Sequence, residues 1–356
     1  AWERAAFLHE REAAGEDPSA PALQQAGSRL QKWRRSTLGD EASFDERLRA
    51  VGLDAAAFVR RLAGSAPRPE ALTWLPLLEE VLSDRAADVA LPSPVDSGPR
   101  MRVPALTRRF LQLGLRRLRA GVEALAARTG CAPDALLDAR AEAWLVDALE
   151  QRLIQTATRS LVLELNVARL SGELQGETPQ ARFEHFALRH LEAPGRLAAF
   201  LEEYPVLARL LVTALDRWSR TSLELLTHLA EDREALVAVL GAGVDPGPLV
   251  EARTGAGDLH REGRSVALLT FRSGLRVVYK PRSLEVEARY QDLLAQLERW
   301  GLCHPHRRLK VLTRASHGWV EHVETGGCDD RDAVARFYWR QGSHLALLYL
   351  LRGVDL

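Results

Sequence analysis

The chain changes character once, and that change limits what it can fold into. Up to about residue 240 it reads as helix after helix. At Gly241-Ala-Gly-Val-Asp-Pro-Gly-Pro248 glycine and proline break the pattern, and extended runs follow. Before the break Ala, Leu, Arg and Glu dominate, and all four favour helix. Leu145, Leu149 and Leu153 recur at i, i+4 and i+8, and Leu207, Leu210, Leu211, Ala214 and Leu215 line a second apolar face. The run from Leu223 continues this pattern, with Ser219 or Thr221 as its cap. Proline and glycine predict loops between Asp84 and Pro104, between Gly172 and Pro179, and at Pro194-Gly195.

After the break, Val266 to Phe271 and Leu275 to Tyr279 are apolar runs around the turn Arg272-Ser273-Gly274, which predicts a hairpin. Pro281 ends its second strand. Leu284 to Trp300 has helical spacing in Val286, Tyr290, Leu293, Leu294 and Leu297. Lys310 to Thr313 and Trp319 to Val323 read as short strands, and Asp332 to Leu351 as a helix. The expected class is α+β, with a helical region over residues 1–243 and a smaller mixed lobe over 244–356. The order loop, strand, strand, helix, strand, strand, helix matches the small lobe of a protein-kinase-like fold. There a glycine-bearing loop covers phosphates, a strand lysine follows, and a helix packs behind it.

Lysine is scarce. Only Lys32, Lys280 and Lys310 occur among 48 basic residues, and Lys280 closes the run Leu275-Arg-Val-Val-Tyr-Lys280. A compact ammonium enters a phosphate site as a point charge, where a guanidinium is bulkier and forked. Upstream, the loop Gly255 to Gly263 carries Gly257 and Gly263, and glycine lets backbone approach phosphate oxygens. Asp258 and His260 are unexpected in a nucleotide clamp, because a carboxylate repels a triphosphate. Two apart in an extended loop, they point the same way, and such a pair moves protons near neutral pH. The carboxylate partner of Lys280 is expected on the following helix, as Glu287 or Glu298.

A length of 356 residues suggests two structural units. Zero net charge gives no broad attraction to nucleic acid or anionic membrane. Arg108-Arg109 and Arg116-Arg117 read as solvated helix faces. Cys131, Cys303 and Cys328, odd in number and far apart, fit a reduced, cytoplasmic setting. No apolar run approaches the ~20 residues of a membrane span, and no signal segment opens the chain. Cys303-His304-Pro305-His306 crowds its ligand types too closely to close a tetrahedron, so no metal site is assigned. Both ends look cut, as in a piece of a longer protein.

From Gly257 to Leu284 the chain meets the pattern G-D-x-H-x-x-G-R-S-V-x-x-L-x-F-x-S-G-x-x-x-V-Y-K-P-R-S-L and resembles the dehydratase domain of class II lanthipeptide synthetases, the LanM-type enzymes. Leu163 to Pro179, Arg182 to Phe186, Tyr204 to Leu211, Arg217 to Thr221, Gly318 to Val323 and Tyr338 to Asp355 also resemble that family, so the likeness covers roughly residues 70–356. It implies that ATP phosphorylates serines and threonines of a precursor peptide and that phosphate is then eliminated, leaving dehydroalanine or dehydrobutyrine. Lys280 then matches the lysine that holds ATP phosphates, and Arg282 is a further phosphate contact. Gly257 and Gly263 belong to the loop over the nucleotide, and Asp258 and His260 to the elimination pair. Asp355 opens the catalytic loop and receives the hydroxyl proton or positions the nucleophile.

The resemblance also implies Mg2+, with ligands beyond residue 356. Its partners are the leader and core of the precursor peptide, and a C-terminal zinc-binding cyclase domain of the same full-length chain. The leader is expected to dock on the helical region, in a groove between helices. Because the sequence stops one residue after Asp355, this piece alone is expected to be inactive. The alternatives are a kinase-fold phosphotransferase acting on a small molecule and a non-catalytic helical binding module. A dehydratase leaves a product ~18 Da lighter per residue, a small-molecule kinase leaves a stable phosphate ester, and a binding module changes no mass.

Overall fold

A computed structural model describes residues 2–7, 10, 18–36, 41–64, 72–83, 89–95, 102–255, 261–301 and 304–353. Helices α1 (Ala20–Ser36), α2 (Glu41–Ala50), α3 (Ala55–Ala63) and α4 (Leu75–Leu82) precede the long α5 (Pro104–Thr129), the one-turn α6 (Pro133–Leu136) and the long α7 (Ala139–Leu170). Helix α8 (Pro179–Ala187) runs into a π-helical turn, Leu188–Glu192, and α9 (Arg196–Glu203) leads to α10 (Pro205–Glu231) and α11 (Arg233–Val239). Strands β1 (Leu249–Thr254), β2 (Ala267–Phe271) and β3 (Arg276–Lys280) follow. Then come α12 (Glu285–Arg299), β4 (Val311–Thr313), β5 (Gly318–Glu321) and α13 (Arg331–Leu350). The expected α+β class is what the chain adopts: a helical first part, then a small sheet lobe. Among the described residues no helix is long and apolar enough to cross a membrane.

By packing, the chain forms two compact units. One comprises Ala1–Val89, Arg100–Leu113 and Glu150–Asp216. The other comprises Ala90–Pro99, Gly114–Leu149 and Arg217–Leu356. The change of texture at 243/244 comes shortly before the first strand, which starts at Leu249. Packing groups residues 114–149 and 217–239 with the sheet.

In the first unit α1, α2 and α3 close a small core of Leu30, Leu48 and Phe58. Asp54 caps α3 by accepting from the Ala57 N–H at 2.6 Å. Arg209 of α10 is buried and donates to both carboxylate oxygens of Glu10, at 2.5 and 2.6 Å, and to the Ala5 carbonyl at 2.8 Å. Leu207, Leu211 and Leu215 of α10 lie inward as expected, but Leu210, at i+3 on the flank, is 46% exposed. Ser219 and Thr221 cap nothing, because α10 runs unbroken through both. Thr221 Oγ1 instead donates to the Arg217 carbonyl at 2.9 Å, one turn back.

The second unit holds a five-stranded antiparallel sheet in the order β1-β2-β3-β5-β4. One core joins it to the helices. Leu118, Val122 and Leu125 of α5, Leu225, Leu226 and Leu229 of α10, and Leu236 of α11 pack on Leu269, Phe271, Val277, Tyr279 and Trp319. Strand β1 was not anticipated. A bulge between Leu249 and Glu251 breaks the alternation, so the buried residues, Leu249 and Ala252, stand three apart and no period of two shows. The hairpin β2–β3 and helices α12 and α13 fall where the sequence places them. Helix α13 buries no side chain, and Phe337, Tyr338, Leu345, Tyr349 and Leu350 are exposed.

Gly318 opens β5 opposite Lys280. A Cβ there would stand 2.5 Å from Leu284 Cδ1 and 2.9 Å from the Leu312 carbonyl oxygen. Leu284 is fully buried and the carbonyl is backbone, so neither yields cheaply. Gly318→Ala should therefore cost about 1–3 kcal/mol, the usual range for overpacking, measured by denaturant unfolding of the sheet-containing unit.

Candidate functional site

Three adjacent strands end together. Thr254 of β1 pairs with Ala267 of β2, and Ala267 pairs with Tyr279 of β3, one residue before Lys280. The β1–β2 connection therefore leaves the sheet at the end where β3 delivers Lys280. Its two sides are tied where they meet the sheet, by the Gly255 N–H donating to Ser265 Oγ at 2.9 Å. Alternation along β3 turns Tyr279 into the core and Lys280 to the opposite face, toward α12.

On that face Glu287, in the first turn of α12, gathers two cations. Arg282 Nη2 lies 2.5 Å from its Oε1, and Lys280 Nζ lies 3.7 Å from the same oxygen. Glu287 Oε2 is buried and has no hydrogen-bond partner among the described residues. Burial pushes the Glu287 carboxyl up. The Arg282 hydrogen bond, its own backbone N–H and the two positive charges outweigh that, and hold it below the ordinary glutamate value. The choice between Glu287 and Glu298 is thereby made, since Glu298 pairs with Arg308 at 3.4 Å. The Lys280 side chain keeps 30% exposure, and its ammonium lies within ion-pair distance of the carboxylate.

Of the site residues read from the sequence, Lys280 and Arg282 come together on Glu287. Gly263 sits four residues before β2, in a left-handed conformation with φ of 91°, beside α10. Gly257, Asp258, His260 and Asp355 lie outside the described residues. Cys303 does too. His304 stands edge-on to Trp339, and His306 is buried beside His344. Among the described residues no group of three His, Cys, Asp or Glu side chains could hold a metal ion. At the end of β5 the Glu321 and His322 amides donate to the Lys310 and Arg276 carbonyls, at 3.1 and 3.3 Å.

Behind the sheet lies a polar cluster that the sequence reading missed. Asp232 is buried and accepts from Trp319 Nε1 at 2.7 Å, His317 Nε2 at 2.8 Å and Arg314 Nε at 2.7 Å. An ionised carboxylate only accepts, so His317 carries its proton on Nε2. The His228 ring stacks on His317, with centroids 3.6 Å apart, and its Nδ1 is 2.9 Å from Tyr279 Oη. Burial, then the neighbouring His317, hold His228 below the ordinary imidazole value. The one local signal was His317-Gly-Trp319, whose alternation puts both rings on one face.

Two comparisons bear on this architecture. Residues 204–356 match the family described as a domain of unknown function, DUF4135. Over 223 residues the chain is also 21% identical to the lacticin 481/lactococcin biosynthesis protein LcnDR2 of Lactococcus lactis subsp. lactis, covering 60% of this chain and 24% of that protein. It thus spans about a quarter of that relative's length. The family match begins at Tyr204 and takes in all of α10, the whole sheet, Lys280 and Glu287. Both similarities agree with the resemblance to LanM-type enzymes that the motif carries.

Proposed function

We propose that the chain is part of a lanthipeptide dehydratase, an enzyme that phosphorylates serine and threonine of a precursor peptide with ATP and then eliminates the phosphate. The observation that carries this reading is Lys280. It ends the third strand, is paired to Glu287 on the next helix, and lies at the sheet end from which the β1–β2 loop departs. A strand lysine paired to a helix glutamate under a glycine-bearing loop is the phosphate-handling arrangement of kinase-like small lobes. The matched domain and the lanthipeptide-associated relative support a peptide rather than a small-molecule acceptor.

In this reading Lys280 and Arg282 hold the phosphates of ATP, and Gly257 and Gly263 belong to the loop over them. Asp355 receives the hydroxyl proton or positions the nucleophile. When bound, Mg2+ would neutralise charge on the ATP phosphates. In the second half-reaction the Cα–H and Cβ–O bonds break, Cα=Cβ forms and phosphate departs. Asp258 and His260 are the residues assigned to it, with His260 as the group that moves the proton. The partners are the precursor peptide and a cyclase domain that adds cysteines to the alkenes.

The two half-reactions separate by mass. With His260→Ala in the full-length protein, the co-expressed precursor should accumulate phosphate esters. With the natural protein it should be ~18 Da lighter per modified residue. Unmodified peptide alone from His260→Ala would remove the elimination role from this pair.

A further inference from the structure

We infer that Glu224 of α10 is a positioning residue for the nucleotide site: through Arg264 it fixes the three residues that lead into β2, opposite the end of β3. The inference rests on the reading of Lys280 as an ATP ligand. Arg264 meets Glu224 as a two-pronged pair, Nε to Oε2 at 2.9 Å and Nη2 to Oε1 at 3.0 Å, with both side chains about one-third exposed or less (34% and 28%). Arg220 Nη1 reaches Glu262 Oε2 at 3.1 Å. Gly263 lies so close to the helix that a Cβ would stand 3.2 Å from Arg217 Cβ. Arg217, Arg220 and Glu224 fall at i, i+3 and i+7, one face of α10, so a single helical stripe grips three consecutive residues.

The gripped backbone is not relaxed. Glu262 has φ of 64° and Gly263 has φ of 91°, and the first is a left-handed conformation at a residue with a side chain. Such a residue persists where its surroundings hold it, and residues of this kind concentrate at ligand-handling sites. Arg220–Glu262 is exposed on both sides, at 54% and 60%, and contributes little. The Glu224–Arg264 pair is the better shielded, and Arg264 is three residues from the start of β2, whose Ala267 pairs beside Lys280. The pair thus controls where the backbone before β2 stands relative to the lysine, without touching the nucleotide.

The test uses the full-length protein and its precursor peptide, comparing Glu224→Gln with the exchanged pair Glu224→Arg/Arg264→Glu. Glu224→Gln keeps the size of the side chain and removes its charge. It should raise the KM for ATP by about 10- to 100-fold, the scale of a small misplacement of a binding group, with kcat and Tm nearly unchanged. The exchanged pair should recover most of that loss, which a merely structural residue would not show. An unchanged KM for ATP in a folded Glu224→Gln protein, or an exchanged pair no better than the single variant, overturns the inference and leaves the proposed function standing. Natural protein that gives no ATP-dependent change in peptide mass overturns the proposed function and this inference with it.

Discussion

Replacing Lys280 by alanine in the full-length protein should abolish both half-reactions, leaving the precursor peptide at its unmodified mass. Phosphoryl transfer depends on fixed positive charge and alignment more than on covalent help from the protein. Removing one preorganised charge of this kind costs on the order of 100- to 1,000-fold in rate. The fold should survive, because Lys280 contributes a 3.7 Å contact to a carboxylate that Arg282 already holds at 2.5 Å. The Lys280 side chain is also 30% exposed, so its loss removes little stability. Lys280→Arg should rescue poorly, since a forked guanidinium does not replace a compact ammonium. Phosphorylated peptide in the Lys280→Ala reaction would show that the lysine serves elimination alone.

The largest effect on stability is expected at Asp232. Asp232→Ala removes one acceptor and leaves Trp319 Nε1, fully buried, and His317 Nε2 without it. Breaking a buried charged cluster from one side costs about 3–5 kcal/mol. Arg314 keeps 41% exposure and re-solvates, which places the loss toward the lower end. Denaturant unfolding followed by tryptophan fluorescence would read it.

The same cluster sets the response to acid. Burial alone would raise the Asp232 carboxyl, but hydrogen bonds from Trp319, His317 and Arg314 hold it below the ordinary value. A depressed carboxyl contributes stability above its unfolded pKa and loses it as pH falls through the lower folded one. His228 is depressed too, by burial first, so its neutral form is favoured in the folded state. The unfolded chain then binds the proton more readily below ~6.5, and stability falls with pH from there. Acid should therefore weaken this unit in two stages, imidazole first and carboxylate second.

Local chemistry was legible where it lies along the chain. Lys280 stood out because lysine is so rare here, and the apolar runs around Arg272-Ser273-Gly274 gave the hairpin. The helix carrying its partner was legible as well, but not the partner. Glu287 and Glu298 are eleven residues apart, about three turns, and so share a face of α12. Only their positions along the axis separate them, and those depend on tertiary packing. Strand β1 stayed hidden because its bulge removes the alternation by which strands are read. The Asp232 cluster and the Glu224–Arg264 pair join residues 40 to 87 positions apart, which no local pattern encodes.

The scarcity of lysine also makes the central claim directly measurable. An ATP acyl-phosphate transfers its acyl group to an amine held beside the nucleotide phosphates, and this chain offers only Lys32, Lys280 and Lys310. Digestion and mass spectrometry of the labelled full-length protein should find the acyl group on Lys280 and lose it when ATP is in excess. Equal labelling of Lys32 and Lys310, or an unlabelled Lys280, would mean that its ammonium does not face a nucleotide.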